Sequence, residues 1–450
     1  MLLFFVSSVS LAYSFTPVAT PPAPPAASIV IGQSNFTSSS QGTGPAGIGS
    51  SDYIAVDKSG NLWVSDYSQG WVAEFAPPFS NGQKAALEEG AANFSAGGCT
   101  TGNALCEPSG IAIDPSGNLW AGDGQNASIQ EFKAPFSLGE SSSVLLGGFY
   151  LNHPPNATNF GPNGLAFDSS GNLWVVDGGF NRILEFTSPF TNREAASLVI
   201  GQPNFSTDSN NNNQSMLNAP GFVTFDHFGN LWVSDTYDNR VLEFKAPFTN
   251  GESASIALGQ PNLSSTAANT TQSTLSMPQG LAFDTHGNLW VSDESNNRIM
   301  EFVPPFSTGM NATVVIGQTS YFFSGPAAGN SSVNDPEGLA AGPNGNLWVA
   351  DSGNYRVLLF TDPASAASSS STSTTLIQTT PSTTTISSTK ASSSQGQTTT
   401  ASTSSVASAT STPTSSGIPE FPPQFVLASL LTLVLAGAYL FMRRRNIVRA

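Results

Sequence analysis

The sequence is short of the residues from which most catalytic and metal centres are built. Of its 450 residues, 2 are cysteine and 3 are histidine. Cys99 and Cys106 stand in CTTGNALC, a spacing that fits no common zinc site, so in an oxidising compartment they read as a small disulfide loop. His153, His227 and His286 are too few and too scattered for a histidine-rich metal cluster. Charge is scarce as well: Asp, Glu, Lys and Arg make up 10% of the chain, against about a quarter in an ordinary soluble domain. Basic residues are scarcest, 14 against 30 acidic ones, for a formal net charge of −16. Four of those 14, Arg443, Arg444, Arg445 and Arg449, sit at the C-terminus. The remainder has too little clustered Lys and Arg to bind a phosphate backbone, which argues against nucleic acid as a partner.

Ser, Thr, Asn and Gly take the place of charge, a surface suited to an exported protein. Several segments stand apart from any folded domain. Residues 1–13, MLLFFVSSVSLAY, resemble the apolar part of a signal peptide without its basic start. A stiff Pro-rich spacer runs on to residue 26. Residues 362–417 are almost wholly Ser, Thr and Ala and read as a disordered stalk, because so few large apolar groups cannot offset the entropy of ordering a backbone. After IPEFPPQ (418–424) comes an apolar run, 425–442, long enough to span a bilayer, and then a basic tail, 443–450. The arginines place that tail in the cytoplasm and the large N-terminal part outside. Pro419, Glu420 and Phe421, followed by an apolar span and a basic end, resemble the sorting signals of archaeal surface proteins. That resemblance implies anchoring by the helix or transfer to a lipid.

What the sequence has in abundance is one short phrase. GNLWVSD (60–66) returns as GNLWAGD, GNLWVVD, GNLWVSD twice and GNLWVAD. The tryptophans Trp63, Trp120, Trp174, Trp232, Trp290 and Trp348 are spaced 57, 54, 58, 58 and 58 residues apart. Fixed periods of this size mean an array or a propeller. Each unit divides into four strand-like stretches, as in GLAFD, LWVSD, RVLEF and ASIALGQ, with turn signals between them: one propeller blade. The sixth unit ends at RVLLF (356–360) without its fourth strand, and a spare copy, ASIVIGQ, occupies 27–33. The expectation is therefore an all-β, six-bladed β-propeller over 27–361, closed by the N-terminal strand, because an open stack would leave a sheet edge unpaired.

The pattern G-[IL]-A-x-D…GNLWVxD…N-R-[VI]-x-x-F closely resembles the NHL repeat over about 330 residues. The resemblance implies a protein-, RNA- or glycan-binding ring, with a few enzymes among its relatives. The amidating and streptogramin lyases that share such a ring rely on His, or His with a metal, and no counterparts of those residues can be placed here. The sequence reading is thus a non-enzymatic, surface-anchored binding, adhesion or cell-envelope module whose partner is an extracellular protein or glycan. Its rivals are a metal-dependent, lactonase-like hydrolase or lyase and a passive coat component.

Candidate site residues follow the repeat. Asp66, Asp123, Asp177, Asp235, Asp293 and Asp351 close the second strands; they read first as acceptors for loop amides and only weakly as a ring that collects a divalent cation. No other cofactor is expected. Arg182, Arg240, Arg298 and Arg356 open the third strands of blades three to six, whereas blades one and two lack them. Trp71, the one non-repeat Trp, falls in that gap and is the candidate exposed anchor for a sugar or peptide. Ten N-x-[ST] sequons, at Asn35, Asn93, Asn126, Asn156, Asn204, Asn213, Asn262, Asn269, Asn311 and Asn330, are candidate glycan acceptors. All but Asn311 fall in connections on one face, eight in the long, variable links between blades and Asn126 in the link from second to third strand, the face where recognition is expected. The innermost strands are expected to line the axis with small and apolar residues.

Overall fold

A computed structural model describes residues 24–91, 104–148, 154–211 and 213–364. The chain divides into two units, Met1–Ser373 and Thr374–Ala450. The second lies outside the described residues, and with it the stalk, the apolar run and Pro419, Glu420 and Phe421. So do Asn93, Cys99, His153 and the signal-like segment. No helix among the described residues is long and apolar enough to cross a membrane.

Six four-stranded antiparallel sheets make up the described fold, five of them from consecutive strands. Blade three is typical: Pro162–Phe167, Leu173–Asp177, Arg182–Phe186 and Leu198–Ile200. The sixth blade has Pro336–Ala341, Leu347–Asp351 and Arg356–Phe360, and its outer strand is Ile29–Ile31. That N-terminal strand pairs with the last one in the register Ile29–Leu359, Val30–Leu358, Ile31–Val357. The expected closure is therefore present, and the six-bladed all-β ring agrees with the reading of the repeat. Ser28 and Thr361 meet at the seam, hydroxyl to hydroxyl at 3.0 Å.

The second strands are buried throughout because each is covered by a blade on either side. Leu173, Trp174 and Val175 are fully buried, as are their counterparts Leu231, Trp232 and Val233. The phenylalanine of each Pro-Phe connection packs edge-on against the Trp of the preceding blade, as with Phe190 on Trp120 and Phe248 on Trp174, at 4.7 and 4.9 Å between centroids.

The GNLW phrase does more than turn the chain. Gly171 and Gly229 have φ of 82°, as the tight hairpin requires. The Asn after each glycine is a bridge: Asn172 Nδ2 donates to Asp168 Oδ2 at 2.9 Å and to Glu185 Oε1 at 3.3 Å. Trp174 Nε1 donates to the same Asp168 oxygen at 3.2 Å. Ser197 closes the set by donating to Glu185 Oε2 at 3.0 Å. These bonds supply the partners of the repeated glutamates. Blade six has Gly342 and Leu359 where the others have Asp and Glu. Both acceptors are lost together there; separately, Asn346 Oδ1 lacks the backbone amide that Asn172 Oδ1 accepts from Ser188 at 3.2 Å and is buried without a partner. Asp226→Ala should strand the Trp232 indole N–H, which now donates to Asp226 at 3.2 Å. Unmet buried donors of this kind cost about 1–3 kcal/mol, to be read as a lower urea midpoint with an unchanged slope.

Candidate functional site

Strand direction gives the ring two unlike faces. The turn face carries the GNLW hairpins, the Pro-Phe connections and the seam where Ser28 meets Thr361. The loop face carries the links from second to third strands and the long connections between blades. Among the described residues, all five exposed Lys and Arg side chains, Lys58, Lys84, Lys133, Arg193 and Lys245, lie on the turn face. Among the described residues, the arginines of the loop face are buried.

Those arginines explain how the long loops are held. Arg240 is 0% exposed; its Nε donates to Asp235 Oδ2 at 2.7 Å, and one terminal nitrogen lies 3.2 Å from Asp238. The same guanidinium donates to the carbonyls of Leu263 at 2.5 Å and of Asn213 at 3.2 Å, in the connections on either side of blade four. Arg182 repeats the arrangement on Asp177 at 2.7 Å, with the carbonyls of Phe205 and Asn159. Arg298 does so on Asp293 at 2.7 Å, with Tyr321 and Thr274, and Arg356 on Asp351 at 2.6 Å, with Phe36 and Ser332. Burial pushes the Asp235 carboxyl up to about 7 and those of Asp177 and Asp351 up to about 6, while each arginine pulls the other way.

Blades one and two replace arginine with neutral donors. Asp66 accepts from Gln69 Nε2 at 2.7 Å and from the amide of Gly49 at 2.7 Å. Asp123 accepts from the side chain of Asn126 at 2.8 Å. All six carboxylates therefore have protein partners in their own blades. Among the described residues no group of three or more His, Cys, Asp or Glu is arranged to hold a metal ion. Trp71 requires a correction: it is 2% exposed and fills the arginine slot, pairing with Asp66 as Arg182 pairs with Asp177. A wide apolar ring in that slot buries itself between blades and cannot serve as an exposed anchor. Among the described residues, the exposed aromatics of the loop face are Phe322, Phe323 and Tyr237, at 69%, 57% and 42%.

The nine described sequon asparagines are all exposed, but several have a structural reason to be there. Asn35, Asn156, Asn204 and Asn262 each accept, through Oδ1, from the Ser or Thr hydroxyl two residues on, at 2.8–3.0 Å. These are Asx-turns. Three of them follow a buried glutamine, Gln33, Gln202 or Gln260, whose amide donates to loop carbonyls, as Gln202 does to Asn181 and Ser209 at 3.0 and 2.6 Å. The N-x-[ST] spacing at these sites is thus built into the loop repeat. Asn126 has its amide nitrogen committed to Asp123.

The axis corrects the expectation of a small, apolar lining. Gly110, Gly164, Gly280 and Gly338 bring neighbouring innermost strands so close that a Cβ at Gly110 would fall 1.8 Å from the Asn163 carbonyl oxygen. Blades one and four carry Tyr53 and Phe222 at this position. The two rings come from opposite blades and stack across the axis, with centroids 4.5 Å apart. Four glycines thus make room for two aromatics that fill the centre. One residue nearer the loop face, the matching positions hold Asp52, Ser109, Asn163, Gly221, Gln279 and Glu337. Gln279 Nε2 donates to Glu294 Oε2 at 2.8 Å, and Ser109 donates to the Pro162 carbonyl at 2.7 Å. The inner mouth of the loop face is therefore polar and net acidic, above an aromatic floor. Sequence reasoning missed it because periodicity ends at the irregular start of each innermost strand. Aligning the Pro-x-Gly triplets would have shown both the polar ring and the two aromatic exceptions.

The sequence profile of the NHL repeat matches residues 275–302 and 333–360, two units of this ring. The match supports an NHL-repeat β-propeller. No curated protein matches the chain. Solved structures similar to it include a catalytically inactive virginiamycin B lyase from Staphylococcus aureus with Quinupristin: 15% identity, TM-score 0.42, covering 74% of this chain and 87% of that one. A streptogramin B lyase is similar at 15% identity and TM-score 0.41, covering 72% and 95%. A protein of unknown function from Bacteroides thetaiotaomicron is similar at 11% identity and TM-score 0.47, covering 74% of each chain. The expectation of a non-enzymatic protein is corrected here: structures similar to this chain include lyases. At these identities the likeness concerns the fold alone, and it carries no activity or residue over to this chain.

Proposed function

We propose that the protein is a recognition module held outside the cell, which takes its partner, a glycan or a protein segment, at the inner mouth of the loop face. Four features support this reading. The loops are locked by buried arginines, so the face is preorganised for binding. The mouth offers acceptors and amides over an aromatic floor, a mixture suited to polar ligands. The face lacks exposed bases among its described residues, in keeping with a partner other than nucleic acid. The last strand of the ring ends at Phe360 on the opposite face, where Thr361 meets Ser28. The observation that carries the reading is the polar ring above the closed axis.

The test presents full-length protein to immobilised surface glycans and envelope proteins. The native protein should be retained by a defined subset. Asp52→Ala combined with Glu337→Ala should weaken that binding about tenfold or more, the worth of one or two hydrogen bonds to charged groups. Lys245→Ala, on the turn face, should change nothing. Equal binding by the mouth variant would place the ligand elsewhere. Mass analysis of the released ligand would reveal turnover if the mouth also performs chemistry.

A further inference from the structure

The outer strand of blade one, Leu87–Glu89, differs from the other five. Its second and third positions hold Glu88 and Glu89, where the other blades hold aliphatic pairs such as Val199 and Ile200, Ala257 and Leu258, or Val30 and Ile31. Both glutamates are 0% exposed, and none of their four carboxyl oxygens has a hydrogen-bond partner. Glu88 pairs with Ala73, on the side that packs against blade six. Glu89 pairs with Val72, on the side that packs against blade two.

The surroundings offer no compensating cation. Glu74, on the third strand, and Glu140, from blade two, add their charge to that side of the strand. Glu140 Oε1 is itself buried without a partner. The hydroxyl that bonds the counterpart of Glu74 in blade three, Ser197 on Glu185, is Ala86 in blade one. Lys84, three residues before Leu87, is exposed, and residues 92–103 contain no Lys, Arg or His. A charged carboxylate without a partner cannot stay in such a place, so the group sits there as the neutral acid.

We propose that Glu88 and Glu89 form a proton-held latch: as neutral acids they keep the outer strand of blade one docked between blades six and two, and loss of their protons to solvent releases it. Burial pushes the Glu88 carboxyl up to about 7; it pushes Glu89 up to about 8, with Glu140, Glu88 and Glu74 adding to the rise. A raised folded-state pKa means that the folded protein holds protons the unfolded chain has already lost. The stabilising contribution is complete below the ordinary value of 4.5 and is lost as pH climbs through about 7 and about 8. The latch thus closes in acid and loosens in mild alkali.

Hydrogen exchange and melting of the full-length protein at about pH 6 and about pH 9 test it, with amide exchange corrected for its intrinsic pH dependence. The native protein should lose protection at residues 87–90 at the higher pH, while residues 256–258 of blade four keep theirs, and its melting temperature should fall by several degrees. Glu88→Val with Glu89→Ile, the blade-three pair, should keep residues 87–90 protected at both values. Asp177, Asp235 and Asp351 titrate alike in both proteins, so the difference between them isolates the latch. Unchanged protection of residues 87–90 in the native protein would overturn the proposal. So would saturable restoration of protection by calcium at the higher pH, which would make the carboxylates a cation seat.

Discussion

Arg240→Met is expected to destabilise the ring by about 3–5 kcal/mol, the usual result of removing one partner from a buried ion pair. The substitution fills space but leaves Asp235 and Asp238, 0% and 2% exposed, without their cation. It also strips donors from the carbonyls of Leu263, Asn213 and Met216, so connections on both sides of blade four should come loose. The loss should depend on pH. Burial already lifts the Asp235 carboxyl up to about 7 with the arginine present. Without Arg240 the carboxyl moves higher still, and protonation relieves the stranded charge. Urea unfolding at about pH 5 and about pH 8 should therefore show the smaller deficit at the lower value. An equal deficit at both would mean that the lost loop bonds, rather than the orphaned carboxylate, dominate. A full loss at neither would mean that the loops hold without the guanidinium.

Ile31→Asp should have an effect at least as large, because it attacks closure. Ile31 is 0% exposed and packs with Trp71, Trp348 and Val357 across the contact between blades six and one. A carboxylate there would be buried without a partner, and losses of about 4 kcal/mol or more belong to that class of change. The consequence is wider than a hole in one sheet. Undocking Ile29–Ile31 exposes the edge of Arg356–Phe360, and an unpaired edge recruits other chains. The expected outcome is a concentration-dependent loss of monomer on size exclusion, with Ser28→Ala behaving like the native protein. A monomeric, cooperatively melting Ile31→Asp protein would show that the ring does not depend on this strand.

Much of this architecture is legible in the residues because it repeats. The Trp period, the missing fourth strand at 356–360 and the spare one at 27–33 specify six blades and their closure. What repeats is also what neighbouring blades bury, so periodicity and packing report the same thing. Legibility fails where a position departs from the repeat. Trp71 looked exposed because it was unique, yet uniqueness only meant that an aromatic had replaced a buried arginine. Tyr53 and Phe222 stack across the ring from strands far apart in sequence, and no local pattern joins them. Glu88 and Glu89 sit at apolar positions where composition suggests surface. The sequons at Asn35, Asn204 and Asn262 carry two readings at once, since a regular loop bond writes the same three letters as an acceptor site. The arginine anchors were half legible: their recurring place at the start of the third strands is in the sequence, but their reach to carbonyls in two flanking connections comes only from the fold.

The central claim is that the ring closes by joining the two ends of its chain on the turn face, leaving the loop face as the working surface. Ser28→Cys with Thr361→Cys tests it most directly, since the two hydroxyls lie 3.0 Å apart although 333 residues separate them in sequence. Under mild oxidation the full-length protein should form a 28–361 bridge in nearly every molecule, seen as one linked peptide by mass spectrometry, and its melting temperature should rise. Two thiols that stay free under the same conditions would contradict closure by the N-terminal strand and the assignment of the faces that rests on it.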